Sequence, residues 1–442
     1  MVGRASEAVG GLAAPSLRIV KEATMTTARG PTLTAEGELD VARMRRDRLA
    51  RLQAEMEAQG VDGLVLSGQG NVHYATGAAT LTSEIGRAIH EPVIALVTRD
   101  GLPYLCTPYP EGAPPELPAD HVLPPLQPEW ADGVAEMAGL LADLLAPGAA
   151  RLAVDDLSAA AYERLPALLP GVELVDAGAV VGPAKVRKTD DELECIRRAQ
   201  RTNELAMYDV YEALRPGVRQ CDLSAIFLRR IFELGAHANV IDPIWQATPP
   251  SIAQGPWTVH GDVAFPTSPS DRILRDGDLV LVDSGILYEG YASDFGRTWI
   301  TGRRRAGARQ RDHFLRWCDV IERVLELVRP GTTGLELNRA ARKGEPDKPW
   351  LDHFYLAHGI GVESAEMPFI GTDLGEDFDE AIVLAPGMVL VLEPVIWEDG
   401  QGGFRAEEIV AVTDDGYRLL SRFPYHPFDE GSGPFDDGSG PW

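Results

Sequence analysis

Thiols are scarce in this chain. Its 442 residues hold four cysteines, Cys106, Cys195, Cys221 and Cys318, scattered without CxxC spacing, which excludes a disulfide framework and a structural zinc knuckle. Long apolar runs are missing too. No stretch approaches the roughly 18 consecutive apolar residues of a membrane helix, and the N-terminus has no compact apolar run before a small-residue cleavage site. A cytoplasmic protein is the expectation. Basic side chains are the minority, 41 against 67 acidic ones, for a net charge of -26. That balance repels nucleic acid and anionic membranes, so neither is an expected partner.

What remains is the composition of an ordinary globular protein, 45% hydrophobic and 24% charged, on a chain long enough for two domains. Residues 1–38 mix Gly, Ala, Thr and Pro without a period, and Met25 offers a second start, so a flexible extension is expected there. Residues 429–442 repeat Gly, Ser, Pro and Asp and read as a disordered tail. Between them, Val41 to Ala58 has Leu49, Leu52 and Met56 at helical spacing and ends at Gly60. Gly63 to Ser67, Ile94 to Thr98 and Leu152 to Val154 read as buried strands with helical segments between, giving an α/β domain over 39–180. The polar stretch from Val180 to Asp191 marks a boundary. A second domain, 181–428, opens with helices Glu192 to Leu214 and Leu223 to Leu234, the latter stopped by Gly235. After Gly277 the period is that of an antiparallel sheet, interrupted by one helix around Gln310 to Val328.

The chemistry concentrates there. Leu279 to Thr301 (LVLVDSGILYEGYASDFGRTWIT) alternates on both sides of a turn at Glu289 and Gly290, the pattern of a hairpin that sets Asp283 and Asp294 side by side on one face. Two adjacent buried carboxylates repel, and a cation relieves the repulsion; a turn or capping role is the simpler alternative for either aspartate taken alone. Three further segments each frame one metal-capable side chain with apolar residues: His358 in AHGIG, Glu393 after Met388 to Leu392, and Glu407 before Ile409 to Val412. An unpaired glutamate in such a strand is costly. One histidine and four carboxylates suit two divalent ions of hard or borderline character, Mn, Co, Fe or Zn.

In these motifs the chain resembles the pita-bread superfamily of prolidase, aminopeptidase P, methionine aminopeptidase and creatinase. Motifs similar to DxG…SDxxRT, HGIG, GMxxxxEP and RxED carry that family's dinuclear ligands in the order Asp, Asp, His, Glu, Glu, and Asp283, Asp294, His358, Glu393 and Glu407 stand in those places. Asn71 to Gly77 (NVHYATG) and Arg187 to Arg198 (RKTDDELECIRR) are similar to its N-terminal domain and junction. The resemblance implies an α/β (α+β) chain: a creatinase-like N-terminal domain followed by a pita-bread domain with a dinuclear metal site. It also implies Xaa-Pro peptidase activity on a short peptide, and a homodimer in which one subunit's N-terminal domain helps close the other's site.

Two departures stand out. The family's peptidases carry a histidine seven residues after the position of His358, where this chain has Ala365, in SAEMP rather than HExP. A second histidine belongs about seventeen residues before Asp283, where Phe265, Pro266 and Thr267 stand, leaving His260 as the nearest substitute. Glu393, Glu366 and His260 are therefore the candidate catalytic groups, and His260 and Arg405 the candidate substrate contacts, Arg405 through a bidentate fork on a ligand or a substrate carboxylate. The departures open a second reading, a metal-dependent lyase similar to the dimethylsulfoniopropionate lyases of this fold. Those share RTW after the second aspartate and a closing segment like Phe423 to Pro427, but carry Asp-x-Asp where Ser284 and Gly285 follow Asp283. A non-catalytic binding module is a third class, opposed by five intact ligand positions.

Overall fold

The computed structural model describes residues 38–79, 92–248, 250–251, 270–302, 304–345 and 354–428. Residues 1–37 of the expected extension, the 429–442 tail, Phe265 to Thr267 and His260 lie outside them.

The first unit is a six-stranded sheet in the order β4-β3-β2-β1-β5-β6. Its strands are β1 (Gly63–Leu66), β2 (Ile94–Thr98), β3 (Tyr104–Cys106), β4 (Val122–Leu123), β5 (Arg151–Val154) and β6 (Glu173–Asp176). β1, β5 and β6 run parallel, and β1, β2 and β3 are antiparallel neighbours. Helices α1 (Val41–Ala58), α2 (Gln69–Thr76), α3 (Ala131–Leu144), α4 (Ala159–Leu168) and α5 (Gly178–Val186) accompany it. The ends of α1 agree with the sequence because both carry local signals: Asp40 accepts from the Arg43 amide, and Gly60 takes a positive φ just past the last turn.

The stretch read as a polar boundary is in part α5. Its Gly178 and Pro183 argue against a helix by propensity, but Val180, Val181 and Ala184 are buried in the core that also takes in α1 and β1. Packing of an apolar face overrides weak local preference.

The second unit opens with α6 (Asp190–Ala213), started by a Thr189/Glu192 capping box with Asp190, Asp191 and Glu192 in its first turn. α7 (Gln220–Glu233) packs on it. A sheet follows in the order β10-β8-β7, made of β7 (Ala238–Ala247), β8 (Leu279–Tyr288) and β10 (Phe295–Ile300), with the short β9 (Tyr291–Ala292) paired to β8. A second sheet has the order β12-β11-β13-β16-β17: β11 (Ala357–Gly359), β12 (Glu366–Ile370), β13 (Val389–Leu392), β16 (Glu408–Val412) and β17 (Tyr417–Leu419). β14 (Val395–Glu398) and β15 (Gly402–Arg405) form a ribbon.

One helix was expected beyond Gly277; the described residues hold three, α8 (Ala308–Leu325), α9 (Gly334–Arg342) and α10 (Glu376–Ala381). The two unexpected ones are short, and α9 is set by a Thr333/Glu336 capping box rather than by a long apolar period. Trp317, Ile321 and Val324 of α8 share a core with Leu337 of α9 and with Leu390 and Leu392 of β13. A separate core joins α1 and β1 to Val389, Val391 and Ile409 of the second sheet, so the two units pack through continuous apolar contact.

Candidate metal centre

Asp283 lies midway along β8, between Gly296 of β10 and Ile244 of β7. The same register carried one residue past the start of β10 sets Asp294 opposite Gly285. The two aspartates share a face, but stand diagonally, each across from a glycine, rather than side by side. That missing bulk is used. A Cβ built on Gly296 would lie 2.5 Å from the carboxylate carbon of Glu407, whose amide donates to the Gly296 carbonyl at 3.0 Å. Asp283, Asp294 and Glu407 each present an oxygen within 4.8 Å of the others.

His358 comes from β11, paired with Val391 of β13 and Phe369 of β12, with an irregularity just after it. Its Nδ1 is 2.8 Å from the Gly359 carbonyl, which only accepts, so Nδ1 carries a proton and Nε2 faces the cluster. Nε2 lies 3.3 Å from Asp294 and 3.0 Å from Glu393. Glu393, one residue past β13, has its amide fixed to the Leu356 carbonyl at 2.9 Å. The structure thus brings all five candidate ligands together from five separate segments.

Arg405 completes the cluster. Its amide and carbonyl are both bonded to the Thr298 hydroxyl, and its guanidinium pairs with Asp283 at 2.9 Å and with Glu393 and Glu407. Its guanidinium thus contacts three of the candidate ligand carboxylates. None of these six residues is more than 7% exposed.

The electrostatics are those of a site short of positive charge. Four carboxylates face one guanidinium and one imidazole. Burial pushes Asp283 up to about 7, opposed by Arg405 and reinforced by Asp294 and Glu393. Burial likewise lifts Glu407 well above the usual carboxylate range. Glu393, which burial alone would raise, is held down at about 2 by Arg405 and His358. His358 keeps its proton far above the ordinary imidazole value despite burial, because Asp294 and Glu393 bond it. Asp283 Oδ1, Asp294 Oδ1 and Glu407 Oε2 are buried with no hydrogen-bond partner. Orphaned carboxylate oxygens in a buried, acid-rich nest are what a divalent cation would satisfy, so the donor set fits the group.

Glu366, at the start of β12, pairs with Gly359, the residue after His358. It is buried and accepts from Lys188 Nζ at 2.6 Å, with Lys185 Nζ 3.8 Å from its other oxygen. Lys185 also donates to Asn71 Oδ1 at 3.0 Å and to Glu363 Oε2. The lysines come from the segment read as a boundary, and the glutamate's ion-pair partners are these rather than the acidic cluster. Ala365 is exposed. Tyr355 was not anticipated: its hydroxyl bonds Glu393, and burial and that carboxylate raise its pKa. Gly296 and Thr298 were missed as well, although a glycine inside a strand is a recognised sign of close approach.

Buried carboxylates in need of a cation, set on antiparallel sheets behind an α/β unit, define a metal-dependent enzyme. Residues 194–414 match metallopeptidase family M24, and residues 48–184 match the creatinase/prolidase N-terminal domain. The chain belongs to metallopeptidase family M24, in the pita-bread superfamily that its motifs resemble. It is 31% identical over 384 residues to "Probable dipeptidase PepE" of Mycobacterium tuberculosis, covering 86% of this chain and 94% of that one. With the Xaa-Pro dipeptidase of Pyrococcus furiosus it shares 31% identity over 245 residues, 55% of this chain and 65% of the relative's length. Among solved structures, dipeptidase PepE from Mycobacterium ulcerans superposes with a TM-score of 0.67 at 25% identity, covering 88% and 98% of the two chains.

Proposed function

We propose that this chain is a metal-dependent hydrolase of the Xaa-Pro peptidase type, prolidase- or aminopeptidase P-like. It acts on a short peptide with two divalent ions, Mn, Co, Fe or Zn, held by Asp283, Asp294, His358, Glu393 and Glu407. The observation that carries the reading is the trio Asp283, Asp294 and Glu407, with oxygens within 4.8 Å and three of them unpartnered, in a chain of this family. The names of the relatives support the substrate class. A division at about residue 180, into 39–180 and 181–428, goes with the reading and is supported by the two family matches. A cytoplasmic homodimer goes with it too.

Bound cations would supply Lewis-acid polarisation of the scissile carbonyl and a nucleophilic water at neutral pH. The chain's own residues do the rest. Arg405 holds Asp283, Glu393 and Glu407 in one arrangement. Glu393, ionised at neutral pH, accepts the proton of the attacking water and passes it to the leaving amine. His358 is fixed in one tautomer by Gly359. His260, outside the described residues, is the remaining candidate for a substrate-contacting histidine. Glu366 acts by holding the loop that follows His358, through its lysines.

Ala365 favours the second reading, a lyase cleaving a C–S bond in a dimethylsulfoniopropionate-like substrate, since alanine gives the oxyanion of peptide hydrolysis no donor. Elemental analysis of purified protein, with turnover of Xaa-Pro dipeptides and of dimethylsulfoniopropionate under Mn, Co, Fe and Zn, decides. Two metals per chain with dipeptide cleavage is expected. Turnover of only the sulfonium compound moves the assignment to the lyase, and a metal-free wild type indifferent to Asp294→Ala leaves a binding module.

A further inference from the structure

Arg297 follows Gly296 on β10 and is 2% exposed. Its Nη1 donates to two carbonyls, that of Gly296 at 2.9 Å and that of Glu407 at 2.6 Å. Its Nη2 donates to Glu408 Oε1 at 2.9 Å and to the Phe423 carbonyl at 2.7 Å. One guanidinium therefore ties together the two backbone segments whose approach sets Glu407 beside Asp283. A buried arginine is costly unless its charge and donors are met. Glu408 meets the charge, and Glu408 is itself held by the Ser421 and Tyr425 hydroxyls. The Tyr425 ring covers the guanidinium, 4.7 Å from centroid to Cζ.

We propose that Arg297, anchored by Glu408 and the segment 421–425, is a positioning residue for Glu407. Through it the closing segment of the fold sets the affinity of the acidic cluster for a divalent cation. The proposal rests on the metal reading above. Residues that orient a ligand from behind typically alter metal affinity by about 10–100-fold when replaced, and this one holds the main-chain carbonyls on the two sides of the Gly296–Glu407 contact.

Arg297→Lys keeps a charge opposite Glu408, but a single ammonium with three donors cannot reproduce the four contacts that Nη1 and Nη2 make to Gly296, Glu407, Glu408 and Phe423. The measurement is Mn2+ binding to metal-stripped full-length protein by titration calorimetry, alongside thermal melts of the metal-free form. Affinity weakened by about 10-fold or more, at a preserved melting temperature, is expected. Wild-type affinity in a folded Arg297→Lys variant overturns the proposal. If that variant does not fold, Tyr425→Phe, which removes one hydroxyl donor from Glu408, is expected to weaken Mn2+ binding several-fold, and unchanged affinity there overturns it equally. A wild type that takes up no Mn2+ defeats the metal reading itself, an outcome distinct from either.

Discussion

Gly296 and Glu407 compete for one volume: a Cβ on the glycine would stand 2.5 Å from the glutamate's carboxylate carbon. Strand β10 accepts the Glu407 side chain only because residue 296 has none. Gly296→Ala is expected to displace Glu407, weaken divalent-cation binding by about 10-fold or more, and cost about 1–3 kcal/mol by overpacking. Metal titration and chemical denaturation read the two effects. An alanine variant with native cation affinity would show that Glu407 is not a ligand.

Lys188 and Glu366 form a buried pair joining the α5–α6 connection to β12, with side chains 1% and 4% exposed. Removing Lys188 leaves the buried Glu366 charge with only the longer 3.8 Å approach of Lys185. Lys188→Met is expected to destabilise the protein by about 3–5 kcal/mol, with much of the loss recovered in Lys188→Met/Glu366→Gln. Urea denaturation of the four proteins closes the cycle. Additive losses would mean that the pair is not coupled.

Asp191 accepts hydrogen bonds from Arg43 Nε at 2.7 Å, Arg43 Nη2 at 2.8 Å and the Asp40 amide at 2.9 Å, linking α1 to the start of α6. The Arg43 bond holds its carboxyl below the ordinary value, against the effect of burial. A depressed carboxylate pKa contributes stability that is present above the unfolded value, about 3.9, and is lost as pH falls through the lower folded value. Arg43→Met therefore melts below wild type at neutral pH, and the gap narrows below about pH 4. Melting curves across pH 3–7 test this; a gap that stays constant over the range would rule out the pair as its source.

The sequence by itself determined the elements and the ligand types. Caps and glycine stops fixed the ends of α1, and period-two alternation placed Asp283 within β8. Apolar frames around His358, Glu393 and Glu407 marked costly polar groups that needed a partner. Those signals are local, because hydrogen bonds at helix ends and the pleat of a strand act over a few residues. The tertiary structure alone decided the rest. It set the diagonal placement of the aspartates, the space at Gly296 for Glu407, the pairing of Arg405 with three carboxylates and the lysine cradle of Glu366. All but the first join residues far apart in the chain, as Asp283 and Arg405 are by 122 positions. Which side chains meet across such distances follows from how sheets and helices pack, and the physical reason is that burial, by removing water, makes one arrangement of those charges far more favourable than the others.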